Sequence, residues 1–286
     1  MGGIAAAGLA WAWFEAGWVR LRRLEVPLEG LPPELDGLRI VHLSDFHLGP
    51  PSRGAHAVER AVAWTEGLAP DLTLLTGDLL TRPRGERRLL ELVGRLPRCY
   101  AILGNHDFAI SRDPAARRTQ VRDLAPARLL SDEGETIELR GRRVYVAGAD
   151  PRSRWLRSRP QVRDLAVPRE QADLRILLVH YPYLVDQLPP DAFDLVLAGH
   201  MHDGQICLPL PGREKLRLAH LHARYTCGLY RTPGATLHVS PGLGTTFVPF
   251  RFAARPEATE LVLRSIRGNL PVPPNPLHRS ASRTGR

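Results

Sequence analysis

Lysine is nearly missing from this chain. Lys215 is the only one in 286 residues, although lysine and arginine together number 39 against 30 acids, for a formal net charge of +9. So lopsided a choice between the two cations reads as coding bias more than as a selected phosphate-binding surface, so charge alone does not argue for a nucleic-acid partner. Cysteine is scarce as well. Cys99, Cys207 and Cys227 are odd in number and scattered, which excludes a disulfide framework, a zinc finger and a Cys-x-x-Cys redox motif and fits a reducing compartment or plain burial. No solenoid-type repeat is present. Long apolar runs are also lacking. The run at the N-terminus, IAAAGLAWAWF at 4–14, falls short of the roughly 20 residues a membrane span needs. It has no basic residues before it and no small-residue cleavage site after it, which argues against a signal peptide.

What is present is enough apolar material, 43% of residues, for a substantial core. We expect one domain at 14–267 between two tails. Residues 1–13 read as an apolar tail placed to meet a membrane, and 268–286, rich in Pro, Ser and Arg, as a disordered basic tail. Arg20, Arg22 and Arg23 follow the apolar run, which points to a cytoplasmic chain held peripherally at the inner face of the cell membrane. The stretch VRLRRLEV nearly alternates and predicts a strand between Trp18 and Val26.

Between the tails, strands and helices take turns. LRIVHLSD (38–45), DLTLLTGD (71–78) and CYAILGNHD (99–107) are continuous apolar runs of the kind buried on both faces. Helical spacing separates them, at Ala57, Val58, Ala61, Val62 and Leu68 and then at Leu89, Leu90, Leu92 and Val93. This is a βαβαβ pattern, so the three strands should be parallel with their C-terminal ends on one sheet edge, where open α/β sheets place their chemistry. A polar hairpin at 136–150 follows, then DLRILLVH and FDLVLAGHMH.

Each of these five runs ends in a metal donor: Asp45 and His47, Asp78, Asn105, His180, and His200 with His202, seven in all, with His106 and Asp107 directly after Asn105. A single aspartate after a strand is ordinarily a turn former, and a single histidine ordinarily a hydrogen-bonded core residue. Neither habit explains donors at the same end of successive strands. Carboxylate, amide and imidazole without thiolate suit Mn, Fe, Zn or Co, and seven donors suit two ions sharing a carboxylate. Two such ions clamp an in-line displacement at phosphorus and acidify a bridging water. Phosphoester hydrolysis is the chemistry expected.

The ordered blocks SDFHLG, GDLL, GNHD, LLVHYP and GHMHDGQ resemble the calcineurin-like metallophosphoesterase superfamily, and the leader DGLRIVHLSDFHLG and tail TLHVSPGLGTTFVPFRFAARPEATELVL are similar to its bacterial membrane-associated branch. The resemblance runs from about residue 14 to 265. It implies an α/β (α+β) fold, a two-sheet β-sandwich flanked by helices, and a di-metal hydrolase, with manganese the expected activating ion. Position by position it implies Asp45, His47 and His202 on one ion, Asn105, His180 and His200 on the other, and Asp78 between them. His106 would hydrogen-bond the phosphoryl oxygen or protonate the leaving group, and Asp107 would fix its tautomer. Met201 and Asp203 depart from the family pattern. Asp203 is expected either to bond a ligand histidine or to close the turn.

Other features carry less. His220 and His222 lack a nearby carboxylate or thiolate, so a second metal site there is not expected. His42 reads as a core or second-layer histidine, and Asp150 closes a strand in an undetermined role. The leading function is hydrolysis of a lipid- or nucleotide-linked phosphomono- or phosphodiester at an anionic membrane surface, with UDP-2,3-diacylglucosamine pyrophosphohydrolysis as one option. A nuclease or cyclic-nucleotide phosphodiesterase is the alternative, and a non-catalytic scaffold is argued against by the intact donor set. A phosphoester is the expected substrate, nucleic acid is not an expected partner, and no obligate protein partner is inferred.

Overall fold

The alternating apolar runs build two six-stranded sheets. In chain order the elements are α1 (Gly2–Glu15), β1 (Arg20–Glu29), β2 (Arg39–Leu43), α2 (Gly54–Leu68), β3 (Leu72–Thr76), α3 (Glu86–Val93), β4 (Cys99–Ile102), β5 (Arg128–Leu129), β6 (Glu133–Leu139), β7 (Arg142–Gly148), β8 (Leu174–Val179), β9 (Leu195–Ala198), β10 (Cys207–Leu208), β11 (Leu216–Arg217), β12 (Gly228–Arg231), β13 (Thr236–Val239) and β14 (Glu257–Ile266). The structure is a computed structural model and describes residues 2–266 except 117, 118, 154, 155, 157, 158 and 213. The stretch expected to be a disordered tail, 268–286, lies outside the described residues.

One sheet has the order β1-β14-β2-β3-β4-β5 and the other β12-β13-β9-β8-β7-β6; β10 and β11 form a separate small hairpin. β2, β3 and β4 are parallel as the βαβαβ pattern requires, and β6 and β7 are the antiparallel hairpin. Strand periodicity sorts the core into layers. Ile40, Leu72 and Leu74 from one sheet meet Ile176, Leu178, Leu195 and Leu197 from the other between the sheets. Val41, Leu43 and Leu75 point outward, under Ala57, Val58, Ala61 and Val62 of α2 and Leu89, Leu92 and Val93 of α3. The outer face of the second sheet, with Leu177, Val179, Val196 and Leu237, is covered by irregular segments carrying Val162, Leu165, Leu184, Val185 and Phe193. Among the described residues the connections after β7 and β8 hold only short 3₁₀ turns, so α2 and α3 flank the first sheet alone.

At the N-terminus the helix runs across the expected break. The break expected after residue 13 falls inside α1, whose last turn is docked. Ala12 and Glu15 are buried, Arg251 N–H donates to the Ala12 carbonyl (3.0 Å), and the Glu15 carboxylate accepts the amides of Ala253 (3.1 Å) and Ala254 (2.7 Å). An apolar count along residues 1–13 could not show this, since the anchoring groups are a carbonyl and a carboxylate. Leu9, Trp11, Trp13 and Phe14 remain exposed. No helix among the described residues is long and apolar enough to cross a membrane.

Candidate metal centre

Both sheets deliver the C-terminal ends of parallel strands to one place, and each donor sits on the loop that follows its strand. The loops are held in conformations side chains seldom adopt. Asp45, His47, Asp78, His200 and His202 all have positive φ, between 46° and 71°. Each such residue costs about 1–2 kcal/mol, and strain of this kind persists where the surroundings over-determine it, typically at functional sites. The surroundings here are explicit. Asp45 N–H donates to the Gly77 carbonyl (2.9 Å), His47 N–H to the Asp78 carbonyl (3.0 Å), and His200 N–H to the Asp45 carboxylate (3.1 Å). Two glycines permit the approach. A Cβ on Gly104 would strike the Asp78 carboxylate, and one on Gly199 would strike Ser44 and Asp45.

The donor atoms then converge. His47 Nε2 lies 3.0 Å from His202 Nε2, and His202 Nε2 lies 3.5 Å from Asp45 Oδ1. On the other side His180 Nε2 is 3.0 Å from Asn105 Oδ1 and 3.2 Å from His200 Nδ1. Asp78 stands between: its Oδ1 accepts the His106 amide (2.8 Å), which leaves Oδ2 at 3.6 Å from His47 Nε2 and 3.4 Å from His180 Nε2. Asp45, His47 and His202 form one group able to hold a metal ion, Asp78, His180 and His200 another, and His47, Asp78 and His106 a third that overlaps them. Among the described residues no such group includes His220 or His222.

The chemistry of these atoms fits metal ions. His180 Nδ1 faces the carbonyl of Thr76 at 2.8 Å, an acceptor only, so Nδ1 carries a proton and Nε2 is the ring atom turned toward Asn105 and Asp78, where it holds either a proton or a metal ion. His47 Nδ1 lies 2.8 Å from Thr81 Oγ1, a hydroxyl able to accept or donate. Acceptor atoms packed this closely repel unless protons or a cation lie among them. The electrostatics of the cluster reflect that. Burial lowers the basicity of His180, but the Asp78 and Asp45 charges overcome it and raise its pKa to about 9. Burial and the neighbouring His180 cation lower His200 to about 3. Burial opposes ionisation of Asp45 and Asp78, yet the facing imidazoles hold both below the usual carboxylate range.

A segment matching the calcineurin-like phosphoesterase model spans residues 38–204, which contains all seven donors. The chain belongs to that family. It carries the calcineurin-like phosphoesterase domain, and its Asp and His groups are able to hold metal ions. A zebrafish transmembrane protein with metallophosphoesterase domain is 33% identical over 84% of this chain, and the chain spans 56% of that protein. The metallophosphoesterase YkoQ of Bacillus subtilis is 29% identical over 81% of this chain and 85% of its own. The UDP-2,3-diacylglucosamine pyrophosphatase LpxG of Chlamydia trachomatis is 27% identical over 89% of this chain and 93% of its own.

Several expectations change on the geometry. Asp107 does not meet the His106 imidazole. Its carboxylate accepts the amides of Leu79 (3.0 Å), Leu80 (2.8 Å) and Gly104 (2.9 Å), tying the loop after β3 to the loop after β4. Adjacent residues in a tight turn point apart, so sequence adjacency was a poor guide. The group beside His106 Nε2 is Ser111 Oγ, at 2.7 Å, with Thr246 Oγ1 at 3.4 Å. Asp203 bonds no ligand histidine; it pairs with Lys215 and with Arg217 Nε (2.9 Å), and so holds the β10–β11 hairpin beside the site. Asp150 pairs with Arg152 and Arg159, and Met201 packs into the outer core of the second sheet. His42 is buried between the sheets, bonded through Nε2 to Thr76 Oγ1 (2.9 Å) and through Nδ1 to His238 (2.8 Å). Residues that sequence reading missed are Thr76, Thr81, Ser111 and Arg251. Only the single buried arginine in an otherwise apolar FVPFRFAA stretch carried any sign of itself.

Proposed function

We propose that this phosphoesterase is a di-metal enzyme that acts at the cytoplasmic leaflet on a lipid- or nucleotide-linked phosphoester. The observation that carries the membrane part is a continuous apolar strip leading to the mouth of the site. Thr246, beside His106, is followed by Phe247, 64% exposed, and Val248. Phe250 then meets Trp13 of α1 with ring centroids 6.1 Å apart. A substrate whose phosphoester is tethered to acyl chains could reach the donors from a bilayer along this strip. The pyrophosphatase among the relatives supports the same class, and UDP-2,3-diacylglucosamine is the candidate we favour.

Asp45, His47 and His202 would hold one ion, Asn105, His180 and His200 the other, and Asp78 both. When bound, two ions of the Mn, Fe, Zn or Co type polarise phosphoryl oxygens and lower the pKa of water to near neutrality. His106 is no ligand in this scheme. Its Nε2 lies 3.9 Å from Asp78 Oδ2, at the edge of the donor cluster, and its proton goes to a phosphoryl or leaving-group oxygen in the place that Ser111 Oγ takes here. The membrane contact rests on indole and phenyl rings more than on charge. Arg20 and Arg22 already face Glu257 at 3.4 and 3.8 Å, and Arg23 faces Glu260 at 3.9 Å. Indoles favour the headgroup zone, and so short a helix lies in the interface more readily than it crosses.

The test is a panel of bis-p-nitrophenyl phosphate, p-nitrophenyl phosphate, cyclic nucleotides, single-stranded DNA and UDP-2,3-diacylglucosamine, assayed with manganese-loaded protein with and without anionic vesicles. The expected result is preference for the lipid-linked substrate and stimulation by vesicles. Turnover confined to DNA or cyclic nucleotides and indifferent to vesicles would replace this reading with the nuclease or cyclic-nucleotide one.

A further inference from the structure

Thr246 presents to His106 a hydroxyl that no short hydrogen bond claims. Its Oγ1 lies 3.4 Å from His106 Nε2 and 3.5 Å from an Asp113 carboxylate oxygen, both at the long limit for a hydrogen bond, and among the described residues it has no closer partner. The backbone that carries it is held far more tightly. Gln205 Oε1 accepts the Thr246 amide (2.9 Å), and Gln205 Nε2 donates to the carbonyls of Thr246 (2.8 Å) and Val248 (3.1 Å). The carboxamide thereby commits its acceptor and both its donors to one turn, which fixes its orientation. Asp113 accepts the Phe247 amide at 3.1 Å as well. Gln205 is itself buried and anchored three residues after His202, whose carbonyl accepts its amide at 2.8 Å. Gln205 and Phe247 both stand at positive φ, 54° and 58°, a backbone strain that persists where the surroundings enforce it.

Ser111 Oγ covers the same nitrogen at 2.7 Å, and His106 is only 3% exposed. The two hydroxyls are held differently. Ser111 leaves Nε2 by one χ1 rotation, whereas Thr246 is β-branched, stiffer at χ1, and rides on a turn tied by the four bonds from Gln205 and Asp113. An oxygen that takes the place of Ser111 on His106 therefore meets the Thr246 hydroxyl already in position. The phosphoryl oxygens belong with the donor cluster, whose Asp78 Oδ2 is 3.9 Å from His106 Nε2. The ester oxygen must lead its substituent out, and Thr246 adjoins open surface at the exposed Phe247.

We infer that Thr246 is a catalytic residue of this site, donating a hydrogen bond to the leaving-group oxygen that His106 protonates, and that Gln205 is the positioning residue that holds it there. The inference rests on the role proposed above for His106. In the reaction a water oxygen bonds to phosphorus, the ester P–O bond breaks with its electron pair on the departing oxygen, and His106 Nε2 gives that oxygen its proton. A proton from the consumed water restores His106, and Thr246 keeps its own. A hydrogen bond to an oxygen that gains charge in the transition state counts for more the more charge that oxygen must carry. Loss of the Thr246 hydroxyl should therefore matter for a phenolate and little for 4-nitrophenolate, whose charge is spread over the ring and nitro group.

Manganese-loaded full-chain protein is assayed on esters running from 4-nitrophenyl through 4-chlorophenyl to phenyl, as methyl phosphodiesters or as monoesters, whichever wild type turns over. Thr246→Val should lose about tenfold or more in kcat on the phenyl ester and at most about threefold on the 4-nitrophenyl ester, and Thr246→Ser should restore the wild-type slope. Gln205→Met, which keeps the bulk and loses all three bonds, should reproduce the Thr246→Val slope while holding as much manganese as wild type by elemental analysis. Should it fail to fold, Gln205→Glu, which keeps the acceptor and loses both donors, takes its place. A loss in Thr246→Val that is uniform along the series, or no loss, overturns the role of Thr246; a wild-type slope in the Gln205 variant overturns that of Gln205. His106→Asn is run on the same series. A uniform loss there overturns the role proposed for His106 and this inference with it, whereas a loss that steepens in His106→Asn but not in Thr246→Val overturns the inference alone.

Discussion

Replacing Asp107 by asparagine should cost about 3–5 kcal/mol of stability and leave the pH dependence of turnover close to that of wild type. The carboxylate accepts three amides. Leu79 and Leu80 both reach Oδ1, while Gly104 reaches Oδ2 at 2.9 Å. An asparagine can keep its carbonyl on the first pair, but its NH₂ group must then face the Gly104 N–H, donor against donor. Burial and the Asp78 charge push the Asp107 carboxyl up to about 7, so above that pH the loss is one hydrogen bond to a charged acceptor, about 1.5–3 kcal/mol, plus a stranded buried donor at about 1–3 kcal/mol. At about 2–4 °C per kcal/mol for a domain near this size, the midpoint should fall on the order of 10 °C. Calorimetry gives the midpoint, and initial rates between pH 5 and 9 give the profile. If Asp107 instead tunes His106, as adjacency in the sequence implied, the midpoint would stay within about 2 °C of wild type and the acid limb of the rate profile would move. That result would refute the reading of Asp107 as a loop tie.

Further predictions concern other parts of the molecule. His106→Asn should retain both ions by elemental analysis yet lose about 10²–10⁴-fold in turnover, whereas Asp78→Asn should lose metal; equal metal loss in both would show that His106 is a ligand. The buried pair His42 and His238 should make the fold acid-sensitive. Burial lowers both, His238 to about 3, so each folds neutral while the unfolded chain takes a proton below about 6.5. Their contribution is complete above pH 6.5 and declines as pH falls toward 3, at up to about 1.4 kcal/mol per pH unit per histidine. Urea unfolding of wild type and His238→Gln at pH 7, 6 and 5 should show the shallower slope in the variant, and parallel slopes would remove the pair as the cause. Trp11→Ser with Trp13→Ser should abolish sedimentation with anionic vesicles while sparing hydrolysis of p-nitrophenyl phosphate in solution. Unchanged sedimentation would place the membrane contact elsewhere, or nowhere.

The sequence by itself determined a great deal here, because the strands are short apolar runs that end abruptly in donors. Buried parallel strands must be apolar on both faces, so LRIVHL, DLTLLT and LRILLV announce themselves, and their shared polarity puts Asp45, Asp78, Asn105, His180 and His200 on one edge whatever the loops do. Side-chain direction at the loop tips was not determined that way. Asp107 and His106 are neighbours in the chain but serve different partners, because a 3₁₀ turn sends one carboxylate back into the amides of Gly104, Leu79 and Leu80 and the imidazole out toward Ser111. Arg251 and Glu15 were illegible for a related reason. Their partners are backbone carbonyls and amides, which every residue carries, so no residue type marks the other end of the bond. Only packing the segment before β14 against α1 decided that the Ala12 carbonyl and the Glu15 carboxylate would meet the amides of Arg251, Ala253 and Ala254.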